Sequence, residues 1–278
     1  SRIRAVIRGV GLSNDLGGSL LSPQSEGQLR ATRAAYAEAG WAPDEVELIE
    51  CHGTGTPRGD AVELESLRAL WEGREGRGCV LGSVKSNVGH LLTAAGAAGL
   101  CMVIAALEAR TLPPSANFSA LTAAAGLKHT PFRVLEQAEP WPERSPGTPR
   151  RAAVSGFGFG GINAHLLVEE RPSEACPERS RRVDGRGRPS PRQSPAPAVA
   201  LVGMATHFGR LDTLQRFQHA ILRGEPVRDP RPAERWHGAD GPELRGAWLS
   251  AIELPVGRFR IPPRELASLL PQQLLMLK

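Results

Sequence analysis

Residues 151–168 read RAAVSGFGFGGINAHLLV. Two apolar stretches flank a run of glycines, so Ala152 to Val168 predicts two β-strands around a glycine turn. The central glycines formally fit the pattern G-x-G-x-x-G. A dinucleotide-binding fold would need a helix directly after them and an acidic residue about twenty positions on. Here Ala164-His165-Leu166-Leu167-Val168 continues as a strand. The nucleotide reading is therefore rejected. Crowded glycines can instead leave backbone N–H groups free to bind an oxyanion.

Working outward, the preceding sequence alternates strand and helix signals. Ile3 to Val10 is β-branched and alternating. Ser25 and Gln28 form an S-x-x-Q box, and Leu29, Thr32 and Tyr36 follow at helical spacing. Val46 to Cys51 reads as a strand. Asp60 and Glu63 read as a D-x-x-E cap for a helix with Leu64, Leu67 and Trp71 on one face. Cys79 to Val84 is a short strand. Leu91 to Leu107 is almost wholly apolar but short for a membrane span, and is expected to be a buried core helix. Alternating strands and helices define an α/β layered domain over residues 1–170.

After it, residues 171–197 read RPSEACPERSRRVDGRGRPSPRQSPAP and lack apolar periodicity. Such a segment cannot bury enough surface to offset its ordering entropy, so it is expected to be a linker. Residues 198–278 would then form a second unit. It opens with an apolar strand at Val199–Met204, followed by a helix near Leu211–Leu222 and by a helical run from Pro263 to Lys278. A chain stopping inside that run suggests a cut from something longer.

The 278 residues are 41% hydrophobic and 23% charged, which excludes disorder along the whole length. The formal charge of +5 is concentrated in the linker, where seven arginines meet three acidic residues. No basic face with interleaved aromatics marks a nucleic-acid surface. Cys51, Cys79, Cys101 and Cys176 show no C-x-x-C spacing, so neither a metal site nor a disulfide framework is expected. No secretory signal is visible, and a cytoplasmic location away from membranes is expected.

Two further clusters can carry chemistry. Glu50-Cys51-His52-Gly53-Thr54-Gly55-Thr56-Pro57-Arg58-Gly59-Asp60 places an imidazole at a strand end, before a small-residue loop. Glycine and threonine admit a thin substrate, and the hydroxyls can bond its amides. The alternative is a turn with a satisfied histidine. Lys85-Ser86-Asn87-Val88-Gly89-His90 stands between a strand and the apolar helix. A helix N-terminus disfavours imidazolium, which keeps His90 neutral and able to donate to a carbonyl oxygen. Alternatively His90 simply caps that helix.

In this order, HGTGTPRGD, KSNVGH and GFGFGGINAH resemble the C-terminal half of a β-ketoacyl synthase of the thiolase-fold superfamily. The resemblance covers residues 1–169. The wording IRGVGLSND and SEGQLRATRAAYAEAGW looks like modular polyketide and polyunsaturated fatty acid synthases. Residues 198–278 look like the start of a second ketosynthase-type domain, through Val199-Ala200-Leu201-Val202-Gly203-Met204, Pro262-Pro263-Arg264-Glu265 and Pro271-Gln272-Gln273. Leu270 stands where that family usually has Asp, and such drift suits a chain-length-factor partner. The implied fold is α/β and thiolase-like, but incomplete.

The resemblance implies decarboxylative Claisen condensation. A cysteine takes an acyl group from acyl carrier protein, and two histidines assist decarboxylation of a malonyl thioester. It assigns His52 and His90 to that pair, and Lys85 to a structural pairing with Glu63. Thr54 and Thr56 would contact the phosphopantetheine arm of the carrier protein. Phe159 would be the gating residue and, with Gly158, line the substrate site. Asn163 would support it from behind. No bound cofactor or metal is implied. Partners would be acyl carrier protein and a second ketosynthase-type chain, as a dimer or a ketosynthase/chain-length-factor pair.

Ile162 stands where the family usually has Thr, and Ala61 where it often has Pro. No cysteine lies in Ala-Cys-Ser-Ser surroundings, so the chain alone is expected to be inactive, with its site completed from elsewhere. The competing reading is a non-catalytic fragment that binds a carrier protein or a synthase partner. A degradative thiolase is disfavoured, since it needs a second cysteine as base. His129, His165, His207, His219 and His237 are expected to be structural. With only one half of the fold present, the isolated chain is expected to aggregate or to be partly molten.

Overall fold

Ala5–Asn14 forms the first strand, β1, with side chains pointing alternately to two faces. Gly9 and Gly11 share one face. A Cβ at Gly11 would lie 1.8 Å from the Ala31 carbonyl oxygen, and one at Gly9 would lie 2.3 Å from that of Ala35. Both carbonyls belong to helix α1, Ser25–Ala39, which therefore rests directly on the bare backbone of β1. The structure is a computed structural model. It describes residues 3–17, 23–74, 78–118, 127, 130–158, 160–171, 198–232 and 245–249.

The remaining elements follow in chain order: β2 (Leu48–Glu50), α2 (Pro57–Trp71), β3 (Cys79–Gly82), the single turn α3 (Lys85–Val88) and α4 (Ala95–Ala109). Then come β4 (Thr111–Leu112), β5 (Phe132–Arg133), β6 (Glu139–Pro140), β7 (Arg151–Gly158), β8 (Ile162–Glu170), β9 (Val199–Leu201) and α5 (Leu214–Arg223). One mixed sheet runs in the order β5-β3-β2-β7-β8-β1-β9. β5, β3, β2 and β7 are parallel, whereas β7, β8, β1 and β9 pair antiparallel. The α/β class holds, with a mixed sheet.

Strand alternation sorts the core into two layers. Ile49, Cys51, Cys79, Leu81, Ala153 and Leu167 pack with Tyr36 of α1 and with Leu67 and Trp71 of α2. Leu48, Val80, Ala152, Val154 and Val168 face the other way, with Met102, Val103, Ala106 and Leu107 of α4. The segment Leu92–Ala109 is long and apolar enough to cross a membrane by composition. In the fold it is the core helix that its sequence predicts, with Ala98, Gly99 and Met102–Leu107 buried against the sheet.

Two described pieces after residue 197 pack against the first domain. Val199–Leu201 pairs with Ile7, Val6 and Ala5 as the edge strand of the same sheet. Phe217, Ala220 and Ile221 of α5 join the α4 side of the core. The linker after Arg171, and the Pro262–Met276 motifs, lie outside the described residues.

Two expected helix caps differ. Ser25 is the first residue of α1, Gln24 is its cap, and no side chain bonds the cap. The expected box fails because Gln28 is buried and accepts a 2.9 Å hydrogen bond from Ser66 Oγ of α2. At α2 the cap is Thr56, whose hydroxyl accepts from the Gly59 N–H at 3.2 Å. Pro57 starts the helix, because its fixed φ and missing N–H suit the first helical position. Asp60 is thereby inside the helix, and its Oδ1 accepts from the Gly55 N–H at 3.2 Å.

The close approach of α1 to β1 is testable. Gly11→Ala should lower stability to urea by about 3 kcal/mol, because neither backbone can retreat. Gly96→Ala, at an open helical position, should raise it by roughly 1 kcal/mol.

Candidate active site

β2 ends at Glu50, and alternation turns its successors to opposite sides. Cys51 joins the α1/α2 layer, as its place on the strand predicts. His52 emerges at the C-terminal end of the parallel strands. Glu63 fixes this strand end. Its two oxygens accept the N–H groups of His52 (2.8 Å) and Gly53 (2.9 Å). Gly53 takes a left-handed φ of 39° here, and its carbonyl accepts from Ser83 Oγ at 3.2 Å. Backbone groups that have left the ladder are thus satisfied by one buried carboxylate.

The second cluster arrives from β3. Lys85–Val88 makes one helical turn, and His90 follows it. The rings of His52 and His90 meet edge to face with centroids 5.7 Å apart. The His52 ring also lies 5.7 Å from Phe157, at the end of β7. Residues separated by more than a hundred positions are thus gathered at one edge of the sheet.

Backbone amides assign the tautomer of each imidazole. The Phe157 N–H donates to His52 Nδ1 at 3.3 Å, and the Leu92 N–H donates to His90 Nδ1 at 3.0 Å. An accepting Nδ1 on a neutral ring leaves the proton on Nε2. Burial, followed by the charge of Lys85 and the neighbouring His90, lowers the His52 pKa to about 4. Burial and Lys85 also lower that of His90. Both rings are therefore neutral at pH 7, and both have an Nε2–H to donate. Stability from neutral His52 is complete above its ordinary pKa and is lost as pH falls towards 4.

Lys85 lies at the electrical centre of the cluster. Its charge acts on His52, His90, Glu63 and Glu50. Among the described residues no ion pair joins it to Glu63, whose two oxygens are committed to the amides of His52 and Gly53. Glu50 opens the first sequence cluster, but sequence reasoning gave it no role. Its signal was an acidic residue inside the apolar strand Val46–Cys51, where a buried carboxylate is rare.

The other expected site residues spread over two elements. Thr54 Oγ1 lies 3.0 Å from Thr56 Oγ1, at the mouth of the loop. Gly158 ends β7, opposite Ile162. Gly160 and Gly161 both take left-handed φ, at 82° and 76°, and turn the chain into β8 as the glycine run predicts. Asn163 is buried and donates to Asp15 Oδ1 (2.8 Å) and to the Gly161 carbonyl (3.1 Å), so it secures this turn. Phe159 lies outside the described residues. His165 is fully buried on the α1 side, stacked on Tyr36 and 3.1 Å from Ser155 Oγ, and burial lowers its pKa to about 3. It plays the structural part expected of it.

None of the three described cysteines offers a thiolate at neutral pH. Burial raises the pKa values of Cys51 and Cys79, and lifts that of Cys101 to about 11. Cys176 lies outside the described residues. No group of three or more His, Cys, Asp or Glu side chains among the described residues could hold a metal ion.

A parallel-sheet edge thus presents two neutral imidazoles under the charge of a lysine, with a glycine hairpin at its flank. Residues 4–119 match the C-terminal domain of beta-ketoacyl synthases, and residues 122–213 match the ketoacyl-synthetase C-terminal extension. The chain belongs to the β-ketoacyl synthase family, of which it carries the C-terminal domain and extension. The extension match runs across residues 171–197 and β9, and ends just before α5.

Similar proteins include a polyunsaturated fatty acid synthase polypeptide of Thraustochytrium sp. It is 36% identical over 98% of this chain and 13% of its own length. A phenolphthiocerol/phthiocerol polyketide synthase polypeptide of Mycobacterium tuberculosis is 42% identical over 63% of this chain and 12% of its own. Among solved structures, the ketosynthase from module 6 of the bacillaene synthase of Bacillus subtilis 168 superposes with a TM-score of 0.58. It is 36% identical over 61% of this chain and 31% of that one. The chain thus spans about an eighth of these synthase polypeptides and about a third of the solved ketosynthase.

The role of Glu63 can be measured through the amides it holds. Glu63→Ala leaves two N–H groups without acceptors and should cost about 3 kcal/mol in urea denaturation. Amide exchange at His52 and Gly53 should quicken with it. Glu63→Gln should cost less, since its carbonyl oxygen can still accept one of the two.

Proposed function

We propose that this chain supplies the decarboxylating half of a ketosynthase site within a larger synthase. The observation that carries the reading is the pair of neutral imidazoles, each held by a backbone amide with Nε2–H free to donate. A malonyl thioester binds with its carbonyl oxygen between them. The bond to the terminal carboxylate breaks, carbon dioxide leaves, and the electron pair becomes an enolate whose charge rests on that oxygen. His52 and His90 hold it by hydrogen bonding. The enolate carbon then attacks an acyl-cysteine thioester, the thiolate leaves, and a β-ketoacyl thioester is formed. A neutral pair suits this step, because its donors need no proton removed beforehand.

The substrate arrives as a thioester on the phosphopantetheine arm of acyl carrier protein, threaded past Thr54 and Thr56. The family resemblance assigns Phe159 and Gly158 to the acyl side, while Asn163 secures the hairpin and Lys85 and Glu63 order the strand ends. The nucleophilic cysteine comes from the complementary ketosynthase half. An exposed apolar face supports the docking of that half. The face of β1 and β8 opposite α1 exposes Val10, Leu12 and Ile162, with Leu12 at 70% and Ile162 at 60% of full exposure. Burying them would complete the thiolase-like fold and allow the dimer, or chain-length-factor pair, of this family. Residues 198–278 are assigned to the start of a second ketosynthase-like unit, and the protein to the cytoplasm.

A second reading rests on the cysteines, whose burial and raised pKa values provide no nucleophile among the described residues. In it the chain is a non-catalytic fragment or chain-length-factor-type interaction protein. Joining the chain to a complementary ketosynthase half separates the two. Malonyl-carrier decarboxylation should appear, and His52→Ala or His90→Ala should each reduce it by roughly a hundredfold or more. Undiminished decarboxylation in both variants would overturn the proposal.

A further inference from the structure

Glu50 is 1% exposed and ends β2, two residues before His52. One oxygen, Oε1, accepts the Val84 N–H at 2.8 Å, at the start of the turn that carries Lys85 and leads to His90. The other, Oε2, is buried and has no hydrogen-bond partner. A buried carboxylate oxygen left alone is costly, so its persistence calls for a role. The fold also makes room for this side chain. A Cβ at Gly99 of α4 would lie 2.8 Å from Glu50 Cγ and 3.2 Å from Oε1. The core helix therefore carries a glycine where the carboxyl group passes.

We propose that Glu50 is a positioning residue for the imidazole pair, in which Oε1 holds the Lys85–His90 segment through the Val84 amide and the buried carboxylate offsets the charge of Lys85 without a close ion pair. This rests on the reading of His52 and His90 as oxyanion donors. The carboxylates divide the work: Glu63 fixes the backbone under His52, and Glu50 ties that strand to the segment bearing His90. The charged groups acting on Glu50 are Lys85, which favours its ion, and Glu63, which opposes it. α4 brings Gly99 beside its carboxyl group.

Burial outweighs the Val84 hydrogen bond and the Lys85 charge, and raises the Glu50 pKa to about 7. At neutral pH the residue is therefore at its point of change. Above it, the carboxylate offsets the lysine charge felt by both imidazoles. Below it, the imidazoles feel that charge in full.

His52 reports this without titrating itself, since it is neutral above about pH 4. The ring-carbon NMR shift of His52, followed from pH 5.5 to 9 with the complementary half joined, should show an inflection near 7. Glu50→Gln should abolish the inflection, and Glu50→Asp should restore one. Lys85→Met should move it upward by about one pH unit, because the cation favouring the ion is gone. Absence of the inflection in the native chain, its survival in Glu50→Gln, or no displacement in Lys85→Met would overturn the proposal. Should Glu50→Gln fail to fold, Lys85→Met decides alone.

With the complementary half joined, Glu50→Gln should slow malonyl decarboxylation by roughly ten- to a hundredfold through misplacement of the imidazoles, and flatten its pH profile near 7. A normal rate and profile in Glu50→Gln, where His52→Ala abolishes turnover, would overturn the positioning role and leave the imidazole reading intact. Undiminished turnover in His52→Ala would overturn both.

Discussion

The Phe157 amide donates to His52 Nδ1 across the gap between β7 and β2, and much of the architecture exists to keep that contact. It fixes the proton on Nε2 and aims the ring at the sheet edge. The Leu92 amide does the same for His90. Backbone donors suit this task because they cannot rotate away or change protonation. The cost is that three chain segments must be held in register around two rings. Parallel pairing of β2 with both β3 and β7 supplies this register, since Glu50 lies beside Gly82 on one side and Val154 on the other.

Charge is managed by burial rather than by close ion pairing. A lysine next to two imidazoles would ordinarily be a liability. Here it is useful, because its field and the loss of water together keep both rings neutral. Two carboxylates lie behind the strand ends and satisfy amides that the sheet leaves free. Glu63 holds those of His52 and Gly53, and Glu50 holds that of Val84. They stiffen the donors without competing for the site in front of them.

Much of this was legible in the sequence because it is local. The glycine run before an alternating apolar strand predicts the hairpin, and Gly160 and Gly161 show why glycine is needed there. The motifs around His52 and His90 mark strand ends, where the fold gathers them. The apolar run at Leu91–Leu107 is the core helix. What was not legible depends on side chains reaching across the fold. Gln28 is drawn away from its own helix start by Ser66, 38 residues on. Thr56 displaces Asp60 as a cap because Pro57 starts the helix one turn early. Spacing alone could not show that Glu63 is committed to backbone amides while Glu50, in an apolar strand, keeps a buried oxygen with no hydrogen-bond partner. The edge position of Val199–Leu201 was equally hidden, since an apolar strand does not reveal which sheet it will extend.

The central claim is that His52 and His90 are neutral Nε2–H donors at physiological pH. Nitrogen NMR of the imidazole rings tests it directly. Both residues should show a protonated Nε2 and an accepting Nδ1 at pH 7, and His52 should gain its second proton only near pH 4. A charged His52 at pH 7, or a proton on Nδ1 of either ring, would contradict the account.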